Sequence, residues 1–222
     1  MGGGSTQAGV LFETHKISRS ALKVTLYELK PRFQALLRPL ATWFAASGVT
    51  ANAVTLAAAA GSVVLGLALS LAPERRALFL LMPVWLLIRM ALNAIDGMLA
   101  REFDQKTRLG AYLNELCDVV SDAALTLPFA AIAPFRPAEV VLAVLLALIA
   151  EYAGVMGPLA GAERRYDGPL GKSDRALVFG ALGLWVGLAL PLPDAAHWLM
   201  PFICILLAAT IWNRVRRGIA QI

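Results

Sequence analysis

Histidine and cysteine are scarce in this sequence, which has two of each among its 222 residues. His15 and His197 are too far apart in the sequence to suggest a histidine metal site. Cys117 and Cys204 both lie in apolar segments, so we expect reduced, structural thiols and neither a disulfide nor a metal-binding pair. Charged residues are also few, at 16%, whereas 59% of the residues are hydrophobic.

This apolar content exceeds that of an average soluble domain, in which about half of the residues are apolar. The mean hydropathy is +0.67, and the apolar residues form runs of about twenty, long enough to cross a bilayer as helices. We therefore predict an all-α, polytopic membrane protein with six transmembrane helices. The predicted spans are Gly48–Leu71, Ala77–Ala100, Leu109–Ala133, Ala138–Gly161, Ala176–Leu192 and Ala195–Trp212.

Two segments precede the predicted spans. Residues 1–16, which begin MGGGSTQAG, are predicted to be a flexible leader. They lack the apolar core of a signal peptide, so we do not expect one. Residues 17–47 alternate basic and apolar side chains, which is typical of an amphipathic helix lying along the membrane surface. We expect that helix to be broken near Pro31 and Pro39. Residues 48–222 are then a single transmembrane domain.

The basic residues predict the orientation of the spans. Of the twenty Lys and Arg residues, sixteen flank the spans on the side of the chain termini and three lie on the other side. The positive-inside rule therefore places both termini in the cytoplasm. A basic rim beside anionic lipid headgroups accounts for the net charge of +5, so we expect membrane lipid and no nucleic acid as a partner.

Polar side chains interrupt the second and third spans near their cytoplasmic ends. Asn93 and Asp96 are three residues apart, and Asn114, Asp118 and Asp122 follow one another at intervals of four, so each set lies on one helix face. A short connection makes these spans an antiparallel hairpin, so the two faces can converge. Clustered carboxylate and amide oxygens without His or Cys suit a hard cation, Mg²⁺ or Mn²⁺, and such cations commonly serve phosphoryl chemistry.

Glycine and arginine accompany these oxygens. Gly97 and Gly110 leave room for a ligand or a second backbone to approach, and Arg101 is suited to gripping a phosphate.

Arg89 lies one helical turn deeper than Asn93, at a depth similar to that of Asp122 on the neighbouring span. An intramembrane charge normally needs a partner, so we predict an Arg89–Asp122 ion pair, with Glu151 as a rival or third member. The alternative is that Arg89 contacts a substrate phosphate.

The polar segment resembles the signature of the CDP-alcohol phosphotransferase family, D-x2-D-G-x2-A-R-x8-G-x3-D-x3-D. Six of the eight fixed positions match at the family's spacing, and the stretch GVTANAVT at residues 48–55 is similar to the family's usual start of the first span. The corresponding residues are Asn93, Asp96, Gly97, Ala100, Arg101, Gly110, Asn114 and Asp118.

The resemblance implies an enzyme that transfers a substituted phosphoryl group from a CDP-alcohol to an acceptor hydroxyl and releases CMP. It implies that the acidic positions hold one or two divalent cations on the donor pyrophosphate, and that Asp118 is both a ligand and the general base. Asp96, Gly97, Ala100, Arg101 and Gly110 would bind the CDP part of the donor. Resemblance to bacterial phosphatidyltransferases further implies CDP-diacylglycerol as donor, a homodimer, and a cytoplasm-facing site in the inner membrane.

Two positions depart from the signature, since Asn93 and Asn114 stand where the family has acids. An amide oxygen can ligate a hard cation but contributes no charge, so we expect weaker or donor-dependent metal occupancy. Asp122 can restore part of the missing charge. Glu115 is a weaker candidate, because it points about 100° away from Asn114.

A basic loop precedes the fifth span. It contains Arg164, Arg165, Lys172 and Arg175, and Ser173 or Asp174 is positioned to cap the following helix. Two interpretations remain open: a positive-inside loop, or a pocket for a phosphorylated acceptor such as glycerol 3-phosphate, as in related enzymes.

Three functions are compatible with these sequence features. The first is phosphatidyl transfer from CDP-diacylglycerol to a small polar or phosphorylated alcohol. The second is a catalytically silent homologue that binds a CDP-lipid. The third is a transporter, which would also place charged residues within the membrane but is disfavoured because we find no second-half repeat of broken helices.

Overall fold

The computed structural model describes residues 31–222, and within this range the regular elements are helices and no strand is present, so the predicted all-α class is confirmed. The leader and the first part of the predicted surface helix, residues 1–30, lie outside the described residues. The helices are α1 (residues 31–46), α2 (Ala51–Leu71), α3 (Leu81–Glu102), α4 (Arg108–Thr126), α5 (Pro137–Val155), α6 (Lys172–Gly187) and α7 (Leu199–Ile219). Short 3₁₀ turns adjoin four of them at Arg76–Leu80, Leu127–Ala131, Gly157–Ala160 and Asp194–Trp198.

Helices α2 to α7 run alternately up and down. We call the end of the bundle that contains the signature residues the motif end, and it comprises the start of α2, the α3–α4 connection and the start of α6. Side-chain caps begin two of the helices there. The Thr50 hydroxyl accepts a hydrogen bond from the amide of Ala53, and the Thr107 hydroxyl accepts one from the amide of Gly110.

The predicted cap of the fifth span is present in a modified form. Asp174 accepts a 2.8 Å hydrogen bond from the backbone amide of Gly171, the residue just before α6. Helix α6 therefore begins at Lys172, whereas the predicted span begins at Ala176. The carboxylate of Asp174 satisfies the backbone amide of Gly171, which lies about one turn before the predicted start.

Among residues 31–222, four helical segments are long and apolar enough to cross a membrane: Ala51–Leu71, Arg76–Glu102, Pro137–Val155 and Asp194–Ile219. Helix α4 is less apolar because it contains the polar motif residues, and α6 has only 16 residues. Large apolar side chains such as Val64, Leu87 and Ile205 are exposed on the outer surface, where acyl chains rather than water suit them.

Small residues allow the helices to pack closely, as the run LAAAAGSVVLG in α2 predicts. A Cβ at Gly66 would collide with the backbone carbonyl of Ala124 in α4. Phe79, Phe129 and Phe179 stack in the larger core at the far end of the bundle. A smaller core fills the motif end beneath α1 and consists of Ala41, Ala51, Val54, Ile95, Met98 and Leu99.

Helix α1 continues without interruption through Pro39, so the break predicted there is wrong. Pro39 is exposed, and the carbonyl that loses its helical partner on that outer side can be solvated. The opposite side of α1 packs on the smaller core through Leu37, Ala41 and Phe44. Arg38 forms a 3.0 Å ion pair with Glu102 at the end of α3.

Candidate active site

The two polar helix faces meet as the spacing predicts. Asn93 of α3 lies against Asp118 of α4, with 3.4 Å between the amide nitrogen of Asn93 and Oδ1 of Asp118. Because a carboxylate attracts the amide NH₂ group, the amide oxygen of Asn93 faces away from Asp118. Asn93 therefore acts here as a hydrogen-bond donor to the neighbouring acid.

Asp96 is the most buried acid of the signature, with 7% of its surface exposed. The hydroxyl of Thr55 in α2 donates a 2.8 Å hydrogen bond to its Oδ2 atom. This contact brings the first span into the site, a contribution that the sequence analysis missed. The signal was available in the stretch GVTANAVT, whose Thr55 is a polar residue within the apolar start of α2.

Asp118 is surrounded by positive charge. Arg89 donates to Oδ1 of Asp118 at 3.2 Å and to its backbone carbonyl at 3.1 Å. The ammonium group of Lys172, the first residue of α6, contacts the other carboxylate oxygen, Oδ2. Both oxygens of the proposed general base therefore already contact basic side chains.

Arg89 also forms the ion pair that the sequence predicts, with 2.6 Å between its Nη1 atom and Oδ1 of Asp122. Arg175 contacts Oδ2 of Asp122 at 2.8 Å and Glu151 at 2.9 Å. Glu151 therefore joins through Arg175 and not by pairing with Arg89, and its second oxygen lies 3.3 Å from Arg214. Since arginines engage both oxygens of Asp122, we do not retain it as a metal ligand.

The basic residues predicted to bind an acceptor all have carboxylate partners. Arg164 pairs with Glu115 in a two-pronged contact, in which Nη2 and Oε2 are 2.8 Å apart. Arg165 pairs with Asp167. Lys172 and Arg164 keep about a third of their side-chain surface exposed, whereas Arg175 is buried.

The residues assigned to the CDP part of the donor lie together near the α3–α4 connection. Arg101 folds back over Gly97, where a Cβ would approach its Nη2 atom to 2.8 Å. Gly110 faces Asn52 of α2, whose side-chain oxygen would lie 2.6 Å from an added Cβ. Ala100 packs on the smaller core. The signature glycines thus permit close approach of polar side chains.

A groove between α3 and α6 has a volume of about 630 Å³ and reaches Asn93, the first position of the signature. Its apolar wall includes Leu86, Leu87, Met90 and Leu177, and the polar side chains of Arg89, Asn93, Lys172 and Ser173 line its motif end. A second, much smaller cavity of about 30 Å³ lies next to Asp122, Glu151 and Arg175.

Carboxylates suitable for a metal are few. Among residues 31–222, no three or more His, Cys, Asp or Glu side chains are grouped so as to hold an ion. Asp96 and the half-buried Asn114 remain, while Asp118 is paired with Arg89 and Lys172. This set suits one hard cation that a bound phosphate helps to hold, since Mg²⁺ often uses one or two carboxylates together with substrate phosphates.

Solved structures share this fold. Phosphatidylinositol phosphate synthase (PgsA1) from Mycobacterium tuberculosis, in complex with manganese and citrate, superposes with a TM-score of 0.67 at 22% identity, over 82% of this chain and 88% of that chain. The same enzyme with CDP-DAG bound gives a TM-score of 0.68 at 22% identity, over 83% of this chain and 94% of that chain.

Two curated relatives are more similar in sequence. Inner membrane protein YnbA of Escherichia coli (strain K12) is 48% identical over 196 residues, which cover 87% of this chain and 96% of the relative. A phosphatidylinositol phosphate synthase of Mycobacteroides abscessus is 37% identical over 93 residues, 42% of this chain and 40% of that protein. The sequence model of the family described as CDP-alcohol phosphatidyltransferase matches residues 48–212. The chain is therefore a membrane phosphotransferase that belongs to the CDP-alcohol phosphatidyltransferase family.

Proposed function

We propose that this protein transfers the phosphatidyl group of CDP-diacylglycerol to the hydroxyl of a small polar alcohol and releases CMP. Our first choice of acceptor is a phosphorylated alcohol resembling glycerol 3-phosphate. The observation that carries the proposal is the groove between α3 and α6, whose apolar wall ends at Asn93 and Lys172. A lipid in this groove would bring its polar headgroup directly to the family signature.

The shape and polarity of the groove favour a lipid donor over a soluble CDP-alcohol. Its apolar side chains come from Pro83 to Met90 on α3 and Ala176 to Leu184 on α6, along the membrane-embedded part of each helix. The acyl chains of a lipid already lie in the apolar bilayer, and an apolar wall lets them enter the groove without contacting polar groups. The CDP-DAG bound to PgsA1, which has the same fold, supports this choice.

The residues fit one hard cation in the donor site. Asp96 and Asn114 would hold it together with the donor pyrophosphate, and Arg101 over Gly97 would contact the phosphate. A bound Mg²⁺ or Mn²⁺ supplies charge neutralisation at the transferring phosphate. The manganese in the PgsA1 complex supports the choice of ion.

The chemical step is a displacement at the phosphatidyl phosphorus. The acceptor hydroxyl oxygen forms the new P–O bond, the bond to the CMP phosphate oxygen breaks, and CMP leaves with the bonding electrons. Asp118 would accept the hydroxyl proton on Oδ2, which requires Lys172 to shift from this atom towards the substrate phosphates. Arg89, bonded to Oδ1 and the backbone of Asp118, holds the carboxylate in place meanwhile.

Two basic side chains are placed to bind an acceptor phosphate. Glu115 and Asp118 are three residues apart on α4 and therefore adjacent on its surface, so their partners Arg164 and Lys172 lie side by side at the motif end. Arg165, paired with Asp167 nearby, is a further candidate. Arg175 is buried between Asp122 and Glu151, so we remove it from the acceptor set.

The membrane arrangement completes the proposal. We infer six spans, formed by α2 to α7, with residues 17–47 as a surface helix after a leader at residues 1–16. Both termini and the active site face the cytoplasm, because the motif end carries the basic residues. The inner membrane location of the Escherichia coli relative supports a bacterial inner membrane. A homodimer is proposed from the family alone.

A catalytically silent CDP-lipid-binding protein is the second candidate. It is favoured by the two amides at acidic positions and by the ion pairs that occupy Asp118. The family match favours a phosphotransferase over the transporter.

The decisive experiment measures CMP release by the purified protein from CDP-diacylglycerol, with Mn²⁺ and a panel of acceptors. Leu87→Trp would partly fill the groove, and Leu145→Trp on the exposed side of α5 is its matched control. We expect Leu87→Trp to raise the donor KM about tenfold, equivalent to about 1.4 kcal/mol, because the larger side chain takes space that the acyl chains would occupy. CDP-lipid binding without CMP release for any acceptor would establish the silent homologue, and no binding would refute the proposal.

A further inference from the structure

Lys172 lies where the charge of a second divalent cation would be needed. Its ammonium group contacts Oδ2 of Asp118, the last acid of the family signature. The resemblance allows one or two cations on the four acidic positions, but this chain has acids at only Asp96 and Asp118. We propose that the ammonium group of Lys172 replaces a second divalent cation, so that the site binds one divalent ion per chain.

The first argument is the local balance of charge. Three carboxylates, those of Asp118, Asp122 and Glu151, form a connected network with four basic side chains. The basic side chains are Lys172, Arg89, Arg175 and Arg214. The network therefore has one positive formal charge in excess, which repels a second dication and attracts the phosphates of the donor.

The second argument comes from Asn93. Its amide nitrogen lies 3.4 Å from Oδ1 of Asp118, so the side chain donates towards the acid and does not present its oxygen beside it. An aspartate at position 93 would place two carboxylates in contact, an arrangement that needs a cation between them. The amide removes that need.

The third argument is the position of Lys172 itself. It is the first residue of α6 and lines the motif end of the groove together with Asn93. About a third of its side chain is exposed, and its flexible stem allows the ammonium group to reach a phosphate in the groove while staying near Asp118. A phosphate-contacting lysine is a common element of phosphate sites.

This inference rests on the proposed function, because it assumes that the pyrophosphate of a CDP-lipid binds beside Asp118. It goes further by assigning Lys172 to the donor and the metal, in addition to any contact with the acceptor. The two roles are separable, since a lysine that serves only the acceptor has no effect on donor binding when no acceptor is present.

The test titrates Mn²⁺ into the detergent-purified full chain in the presence of CDP and without acceptor. Electron paramagnetic resonance counts the bound Mn²⁺ ions, and calorimetry measures the dissociation constant of CDP. We expect one Mn²⁺ per chain in the wild type. Lys172→Met should weaken CDP binding about tenfold or more at saturating Mn²⁺, because a charge-assisted contact is lost. Lys106→Met, in the exposed α3–α4 connection, is the matched control and should leave CDP affinity unchanged.

A triple variant tests whether a second divalent cation can take the place of the Lys172 ammonium group. Asn93→Asp, Asn114→Asp and Lys172→Met together restore the four acids and remove the ammonium group, so we expect two Mn²⁺ per chain. Two Mn²⁺ in the wild type, or unchanged CDP affinity in Lys172→Met, would overturn the inference. The number of Mn²⁺ ions bound to the wild-type chain is measured without any variant, so a count of two overturns the inference even if a variant misfolds.

The outcomes also separate this inference from the proposed function. One Mn²⁺ and tight CDP binding without CMP release would support the role of Lys172 and refute catalysis. CMP release with two Mn²⁺ bound would refute the role of Lys172 and support catalysis. No CDP binding at all would refute both.

Discussion

The hydroxyl of Thr55 in α2 lies 2.8 Å from Oδ2 of Asp96 in α3 and donates a hydrogen bond to it. The contact fixes one oxygen of the buried carboxylate. The same hydroxyl lies 3.1 Å from the carbonyl of Ala51, which is a second acceptor for its single proton, and the shorter distance favours Asp96. Thr55 is thus a positioning residue for the acid that we assign to the cation.

Thr55→Val removes this hydroxyl at nearly constant volume. We expect kcat/KM for CMP release to fall about tenfold to a hundredfold, because a hydrogen bond to a charged group contributes about 1.5–3 kcal/mol. The affinity for Mn²⁺ in the presence of CDP should fall in parallel. Thr55→Ser keeps the hydroxyl and should retain most of both. Equal activity of the valine and serine variants would show that the hydrogen bond has no role in positioning Asp96.

Arg89 connects Asp118 and Asp122, so its loss should affect stability as well as activity. Arg89→Leu leaves two partly buried carboxylates short of a partner, and we expect a loss of about 3–5 kcal/mol in the free energy of unfolding. Thermal denaturation in detergent measures the loss. Arg89→Lys should recover only part of it, because an ammonium group cannot match the two-pronged contact of a guanidinium.

The control for Arg89 is an arginine outside the network. Arg75→Leu changes an exposed side chain at the other end of the bundle and should alter stability by less than about 0.5 kcal/mol. An Arg89→Leu protein with wild-type stability and turnover would refute both the structural and the substrate-binding interpretation of Arg89.

The sequence predicted the parts of the site that depend on spacing within one helix. Intervals of three and four residues identify the faces of α3 and α4, and the rise per residue places Arg89 level with Asp122. Both relationships hold in the structure, where Arg89 reaches Asp122 at 2.6 Å and Asn93 reaches Asp118 at 3.4 Å.

Contacts between helices distant in the sequence were not predictable in this way. The sequence predicts Lys172 in a loop, but the Asp174 cap starts α6 early enough to place Lys172 at Asp118. From its position on α4, Glu115 is predicted only as a weaker metal-ligand candidate. Its pairing with Arg164 depends on how the α5–α6 connection folds back over α4. These partners are set by helix rotation and loop path, which periodicity does not encode.

Two glycines should respond differently to the same substitution. Gly97→Ala places a methyl group 2.8 Å from the guanidinium of Arg101, a flexible side chain that can move aside. We expect little change in stability, within about 0.5 kcal/mol, but a raised donor KM, because Arg101 is displaced from the phosphate position.

Gly66→Ala is the contrasting case, since its methyl group meets the backbone carbonyl of Ala124 and the two helices must separate. We expect a loss of about 1–3 kcal/mol in the free energy of unfolding. Thermal denaturation and donor kinetics on both variants make the comparison. Loss of stability in Gly97→Ala with normal donor KM would contradict the assignment of Gly97 to the donor site.

Asp167, in the connection between α5 and α6, predicts a pH dependence of stability. It accepts hydrogen bonds from Arg165 at 2.7 Å and from Arg217 at 2.5 Å. Burial alone would raise the pKa of Asp167, but the bonds from Arg217 and Arg165 outweigh it and hold the pKa below its usual value of 3.8. A lowered folded-state pKa means that the carboxylate stabilises the fold above the unfolded-state pKa, and that this contribution is lost as the pH falls through the folded-state value.

We therefore expect Asp167→Asn to lower the Tm at neutral pH, and the difference from the wild type to shrink only below about pH 4. Thermal denaturation in detergent between about pH 3 and pH 7 tests this, because the range includes the usual pKa of an aspartate, near which the difference should begin to shrink. Asp104→Asn is the matched control: its side chain is exposed and its φ of 55° suits asparagine. A Tm difference for Asp167→Asn that stayed constant down to about pH 3 would show that the charge of this carboxylate does not hold α7 to the connection.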